Sequence, residues 1–151
     1  MNPFLKNNNQ NKTDVSYLFF LLPILALIAP VILLPIEKII PYPYILEEMF
    51  KATMVFLILT IPGKSFQIKL TIFLGFFFAL SENFFYLSNS ILYGSPAIFI
   101  ERFFLASILH IFTILIILLS AQKNRRLIFP AALLAMLIHY FYNQSVMFLL
   151  K

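Results

Sequence analysis

IKLTIFLGFFFALSENFFYL, residues 68–87, is about as long as the ~20 residues a helix needs to cross the ~30 Å hydrocarbon core of a bilayer. It also carries Glu82 and Asn83, inside GFFFALSEN, residues 75–83. A charged side chain at the centre of a membrane helix costs about 2.5–3.5 kcal/mol on insertion scales. The neighbouring residues offer no cation and no water, so whatever satisfies Glu82 must come from another part of the chain.

The rest of the sequence has the same character. Of 151 residues, 62% are hydrophobic and 11% charged, against roughly 25% charged in a soluble domain. Mean hydropathy is +0.94. These values describe an integral membrane protein, and its expected fold class is an all-α, polytopic bundle of about five transmembrane helices. Cysteine is absent, which excludes disulfides, thiolate metal sites and Cys nucleophiles. The net charge of +5 is spread between apolar segments and not gathered into a basic face, so no nucleic-acid partner is expected.

Five apolar stretches are expected to form helices: Tyr17–Leu34, Tyr44–Ile61, Ile68–Leu87, Ala97–Leu119 and Leu127–Leu150. Pro35, Pro41, Pro43, Pro62-Gly63 and Gly94-Ser95-Pro96 punctuate them. Residues 1–16, polar and Asn-rich, read as a disordered cytosolic tail, and residues 17–151 as a single transmembrane domain. Pro30 directly after Ala29, without A-x-A spacing, argues against a cleaved signal peptide. Lys6, Lys12, Lys64, Lys69, Lys123, Arg125 and Arg126 fall on one side of the alternating connections, Lys38 and Lys151 on the other. The positive-inside rule then expects a cytoplasmic N-terminus and an extracytoplasmic C-terminus.

Several ionisable residues fall within the apolar segments: Glu47, Glu48, Lys51, Glu82, Arg102, His110 and His139, with Glu101 at a rim. Counting ~1.5 Å per residue from the expected cytosolic ends puts Glu48, Glu82, His110 and His139 roughly 15–21 Å above the inner boundary. Helical spacing puts Lys51 on the same face as Glu47 and Glu48, Asn143 on that of His139, and Tyr86 on that of Glu82. Four helices are thus expected to present polar groups in one layer. A single His or Asn in a membrane helix often only hydrogen-bonds a neighbouring helix, but four helices polar at one depth point to a shared site.

The same residues form an ordered set of motifs. Glu47-Glu48-Met49-Phe50-Lys51 reads E-E-x-x-K, Gly75 to Asn83 reads G-x-x-F-A-x-x-E-N, Arg102 precedes His110 by eight positions, and His139-Tyr140-Phe141-Tyr142-Asn143 reads H-x-x-x-N. In this order they resemble the PrsW family of intramembrane proteases, and more distantly the CAAX- and bacteriocin-processing membrane proteases. Where relatives often carry Thr four residues after the His, Thr113 here follows after three. The resemblance implies a peptide-bond hydrolase of a prokaryotic inner or plasma membrane. Glu47, Glu48, Glu82, His110, His139 and Asn143 are its candidate catalytic residues, and Lys51, Asn83 and Arg102 supporting partners.

Two routes to hydrolysis stay open. His110 and His139 with Glu82 or Glu48 would bind a divalent ion, zinc being the one that N and O ligands favour, and its water would become the nucleophile. Alternatively, as CAAX-type relatives suggest, Glu47 and His110 activate water directly while His139 and Asn143 stabilise the oxyanion. The metal route follows from the resemblance, since PrsW-like proteins are classed as metalloproteases. The implied substrates are membrane-anchored proteins such as anti-sigma factors, cut near their extracytoplasmic ends. Readings of another class are an ion- or proton-coupled transporter and a non-catalytic scaffold, because intramembrane Glu, His and Lys also mark ion paths.

Overall fold

A computed structural model describes the backbone of residues 3–37, 39–93 and 96–149; the side chains described exclude those of residues 1–16, 38, 85, 86, 88–98 and 147–151. Among the described residues there are five α-helices and no strand. They are α1 (Pro3–Glu37), α2 (Pro43–Ile58), α3 (Lys64–Tyr93), α4 (Pro96–Lys123) and α5 (Ile128–Leu149), with a 3₁₀ turn at Arg125–Leu127 between the last two. The all-α bundle expected from composition is the observed fold.

Local chemistry sets the breaks. Pro43 occupies the start of α2, where the missing N–H costs nothing and the fixed φ favours a helix. Gly63 adopts a φ of +93°, a conformation open to glycine without strain, and turns the chain from α2 into α3. Asn124 caps the 3₁₀ turn by accepting from the Arg126 N–H at 3.0 Å. α1 keeps Pro23, Pro30 and Pro35 inside the helix; membrane helices tolerate such breaks where neighbouring groups re-satisfy the backbone. The backbone of α1 is already helical from Pro3, upstream of Tyr17, where the first apolar stretch begins.

Among the described residues, four helices carry a segment long and apolar enough to cross a membrane: Tyr17–Glu37, Lys64–Phe84, Phe99–Lys123 and Arg125–Val146. The second expected stretch behaves differently. α2 has 16 residues, or ~24 Å at the helical rise, short of the ~30 Å core. It packs against all four other helices and buries Glu47, Glu48 and Lys51. The face of α2 that carries these three ionisable residues meets protein and not lipid, while Met49 and Phe56 on its other side stay exposed.

α3 and α4 run antiparallel, with Gln67 facing Gln122 at 2.8 Å near one end and Gly75 against Ile111 further along. A Cβ built on Gly75 would stand 2.7 Å from Ile111 Cα and 2.9 Å from Ile111 N. The two backbones therefore touch, a contact that small residues allow in membrane bundles. Gln67 also donates to the Ile61 carbonyl at 2.7 Å, tying the α2–α3 turn to α4. Leu74, Ile58, Ile114, Ile117 and Leu118 fill the core at this end, and Ala131, Ala132 and Ala135 let α5 approach it. Phe84, Phe104, Ile108 and Phe129 are exposed, as side chains facing lipid would be.

Candidate active site

Beyond the apolar core, the bundle interior turns polar. Glu48, fully buried, is the centre of that layer. Its Oε1 accepts from Lys51 Nζ at 2.7 Å, from the His139 ring at Nδ1, 2.9 Å away, and from Thr113 Oγ1 at 3.4 Å. Lys51 Nζ also donates to Thr113 Oγ1 at 3.1 Å and stands 5.1 Å from the centroid of the Phe78 ring. Three helices, α2, α4 and α5, are thus joined through one carboxylate oxygen. A buried carboxylate with a cation and further hydrogen bonds meets the condition under which buried charge is tolerated.

A second carboxylate–imidazole pair lies alongside. His110 Nε2 and Glu82 Oε2 are 2.5 Å apart, linking α4 to α3. Side chains lean toward the N-terminus of their own helix, so on antiparallel helices Glu82 and His110 extend toward each other. Phe78 packs against the His110 ring, with centroids 5.1 Å apart. The two imidazoles meet edge to face at 5.3 Å, bringing the two pairs into one cluster. Glu82, marked out by sequence as a carboxylate without a local partner, finds its partner here.

Glu47 is the least engaged of the three carboxylates. Its Oε2 stands 3.8 Å from His139 Nδ1, whereas Glu48 is nearer at 2.9 Å, and a single N–H serves the nearer acceptor. Glu47 Oε2, Glu48 Oε2 and His110 Nδ1 are all buried without a hydrogen-bond partner. One ligand atom each from Glu47, His110 and His139 lies within 4.8 Å of the others. A carboxylate and two imidazoles with orphaned buried atoms are a donor set that suits a divalent ion such as zinc. Glu82, expected as a third ligand, holds His110 at Nε2 and leaves the ring's Nδ1 free; Glu48, at His139 Nδ1, leaves Nε2. Carboxylates orient metal-binding histidines in this way.

A family profile described as PrsW family intramembrane metalloprotease matches residues 39–151. The chain belongs to this family. No curated protein and no solved structure matches it. Membership makes the chain a membrane protease, and its four apolar spans make it an integral membrane protein. The matched region covers α2 to α5 and with them every member of the cluster.

The remaining expected residues take other places. Lys51 partners Glu48 and not Glu47. Asn83 donates to the Ala79 carbonyl of its own helix at 2.8 Å, and Asn143 makes no hydrogen bond to the cluster. Arg102 is half-buried and within electrostatic reach of Glu82, while Glu101 is exposed, as a rim residue would be. Tyr86 has its side chain outside the described residues. Two residues were not singled out for this layer: Thr113, completely buried beside Glu48 and Lys51, and Glu37, half-buried at the end of α1 and within electrostatic reach of Glu82 and Glu47. Thr113 was open to discovery, because three positions after His110 it shares that residue's helix face. Glu37 carries no such signal, since it sits beside Lys38 in a connection.

Proposed function

We propose that the chain hydrolyses a peptide bond in membrane-anchored substrate proteins, of which anti-sigma-factor-like single-span proteins are the type, near their extracytoplasmic ends. The observation that carries this reading is the convergence of Glu47, Glu48, Glu82, His110 and His139 from four helices on one cluster. Glu47, His110 and His139 would hold a divalent ion, with zinc the assignment their N and O donors favour. Such an ion, when bound, acidifies water and polarises a carbonyl. Glu82 at His110 Nε2 and Glu48 at His139 Nδ1 accept hydrogen bonds from the ring N–H groups and orient both imidazoles. A carboxylate that gives one oxygen to the ion keeps the other, so Glu47 receives the proton of the attacking water and delivers it to the leaving amine. Asn143, one turn beyond His139, is assigned as a donor to the developing oxyanion.

Lys51 and Thr113 neutralise and anchor Glu48, and Arg102 balances Glu82. The unequal distribution of Lys and Arg over the connections supports a cytoplasmic N-terminus and an extracytoplasmic C-terminus.

The test is cleavage of a single-span substrate in proteoliposomes by the wild-type chain and by Glu47→Gln and His139→Ala variants shown to be folded and inserted. Both variants are expected to lose cleavage, Glu47→Gln by about 10²-fold or more for removal of the acid–base group, and His139→Ala through loss of a ligand to the ion. Wild-type rates in either variant would overturn the assignment. Ion flux dependent on Glu82 without any cleavage would instead favour a transport role.

A further inference from the structure

A groove of about 570 Å³ runs along the seam of α2 and α5, away from the hydrogen bonds of the polar cluster. Met49, Thr53 and Phe56 line it from α2 and Phe129 and Met136 from α5, with Arg125 at one end. Its walls are apolar. The one wall hydroxyl, Thr53 Oγ1, donates to the Met49 carbonyl at 3.0 Å and is occupied by its own helix. No carboxylate lines the groove. Lys123 and Arg126 are exposed close to Arg125 in sequence, and Lys64 begins α3 at the same end of the bundle.

An apolar trough with a cation at one end fits an amphiphile with one anionic end. Its length narrows the occupant further. From Arg125 in the 3₁₀ turn to Met136 in α5 the wall rises ~16 Å, about half of a ~30 Å hydrocarbon core. That is the depth of one leaflet, whereas a membrane-crossing peptide would seek a groove twice as long. The volume is within the ~300–1,000 Å³ of small-ligand sites. Phe129 at 79% and Phe56 at 54% exposure leave the trough open sideways, where lipid would enter.

We propose that the α2–α5 groove binds an anionic phospholipid, with an acyl chain in the trough and the headgroup phosphate on Arg125. Basic pockets between membrane helices are suited to such headgroups. Met49 follows Glu48, and Met136 lies one turn before His139. The lipid therefore packs between the two helices that the Glu48–His139 hydrogen bond spans, independently of what reaction the cluster performs.

The experiment is native mass spectrometry of the full chain after equilibration with equal phosphatidylglycerol and phosphatidylcholine, counting lipids retained. Phosphatidylglycerol is expected to be retained over phosphatidylcholine by about fivefold, the effect of roughly one basic contact. Arg125→Gln is expected to remove that preference, Arg126→Gln to keep most of it, and Thr53→Phe to lower retention of both lipids. Equal retention of the two lipids by the wild-type chain, or a preference that survives Arg125→Gln, would overturn the headgroup assignment. Unchanged retention in Thr53→Phe would overturn the trough. Arg125 is exposed, so its variant keeps the test decisive even where Thr53→Phe does not fold. Photo-crosslinking from Phe56 to a single-span peptide or a second copy in preference to lipid would likewise refute the proposal.

Discussion

The two carboxylate–imidazole pairs of the cluster look alike in sequence and differ in the structure. Glu48–His139 is sealed: Glu48 is 0% and His139 3% exposed, and Lys51 and Thr113 close around the same oxygen. Glu82–His110 has one open side, since the Glu82 side chain keeps 23% of its exposure while His110 has 1%. A sealed pair with its own cation holds helices together, because removing Glu48 or Lys51 strands the other's buried charge. The half-open pair has Arg102 within electrostatic reach of Glu82 and is open to water on one side. The likeness of two Glu–His pairs therefore hides a difference in enclosure, although both imidazoles offer a ligand atom to the same candidate site.

The largest effect that would break this comparison is expected at Lys51. Lys51→Met leaves Glu48 buried without its cation and should cost about 3–5 kcal/mol of stability, read as a loss of folded protein in thermal unfolding in detergent. If Lys51→Met instead unfolded like wild type, the sealed pair would not be the anchor. Glu82→Gln keeps a hydrogen-bond acceptor for His110 but removes the charge, and is expected to lower cleavage and metal affinity about 10–100-fold with little change in unfolding. A large loss of stability in that variant would make the two pairs equivalent.

Smaller effects sharpen the boundary between them. Gly75→Ala drives a methyl into the Ile111 backbone and should cost about 1–3 kcal/mol through overpacking. Because it displaces α3 from α4, its damage to cleavage should exceed that of an equally destabilising change in the apolar core, such as Ile58→Val. Thr113→Val removes one hydroxyl shared by Lys51 and Glu48 and is expected to cost about 1–3 kcal/mol for the unsatisfied groups, measured by unfolding, while metal affinity stays close to wild type. Treatment with a chelator completes the series: cleavage should stop and return on adding zinc, whereas cleavage indifferent to chelation would favour the metal-free route through Glu47 and His110.

α2 offers a second contrast, with α1. Both were expected from sequence as apolar stretches bounded by proline, yet only α1 carries a full-length span. α1 exposes Phe20 and Ile32 as a lipid-facing helix would, while α2 buries Glu47, Glu48 and Lys51 among its neighbours. E-E-x-x-K in a short apolar helix signals burial by protein, because three such groups in lipid would cost several kcal/mol.

By itself the sequence determined that the chain is a helical membrane bundle, which residues break its helices, and which side chains are too costly in an apolar span to be incidental. Those properties are local: they depend on segment length, on proline and glycine, and on the desolvation cost of a charge. The motif order was sufficient for the family. Only the tertiary structure decided the pairings, namely that Lys51 takes Glu48, that Glu82 supports His110 from behind, and that Glu47 stands beside both imidazoles. Residues that share a helix face can reach several partners, and the choice among them depends on how closely the backbones approach. Here Gly75 against Ile111 and the alanines of α5 set that approach, and no spacing along a single helix records it.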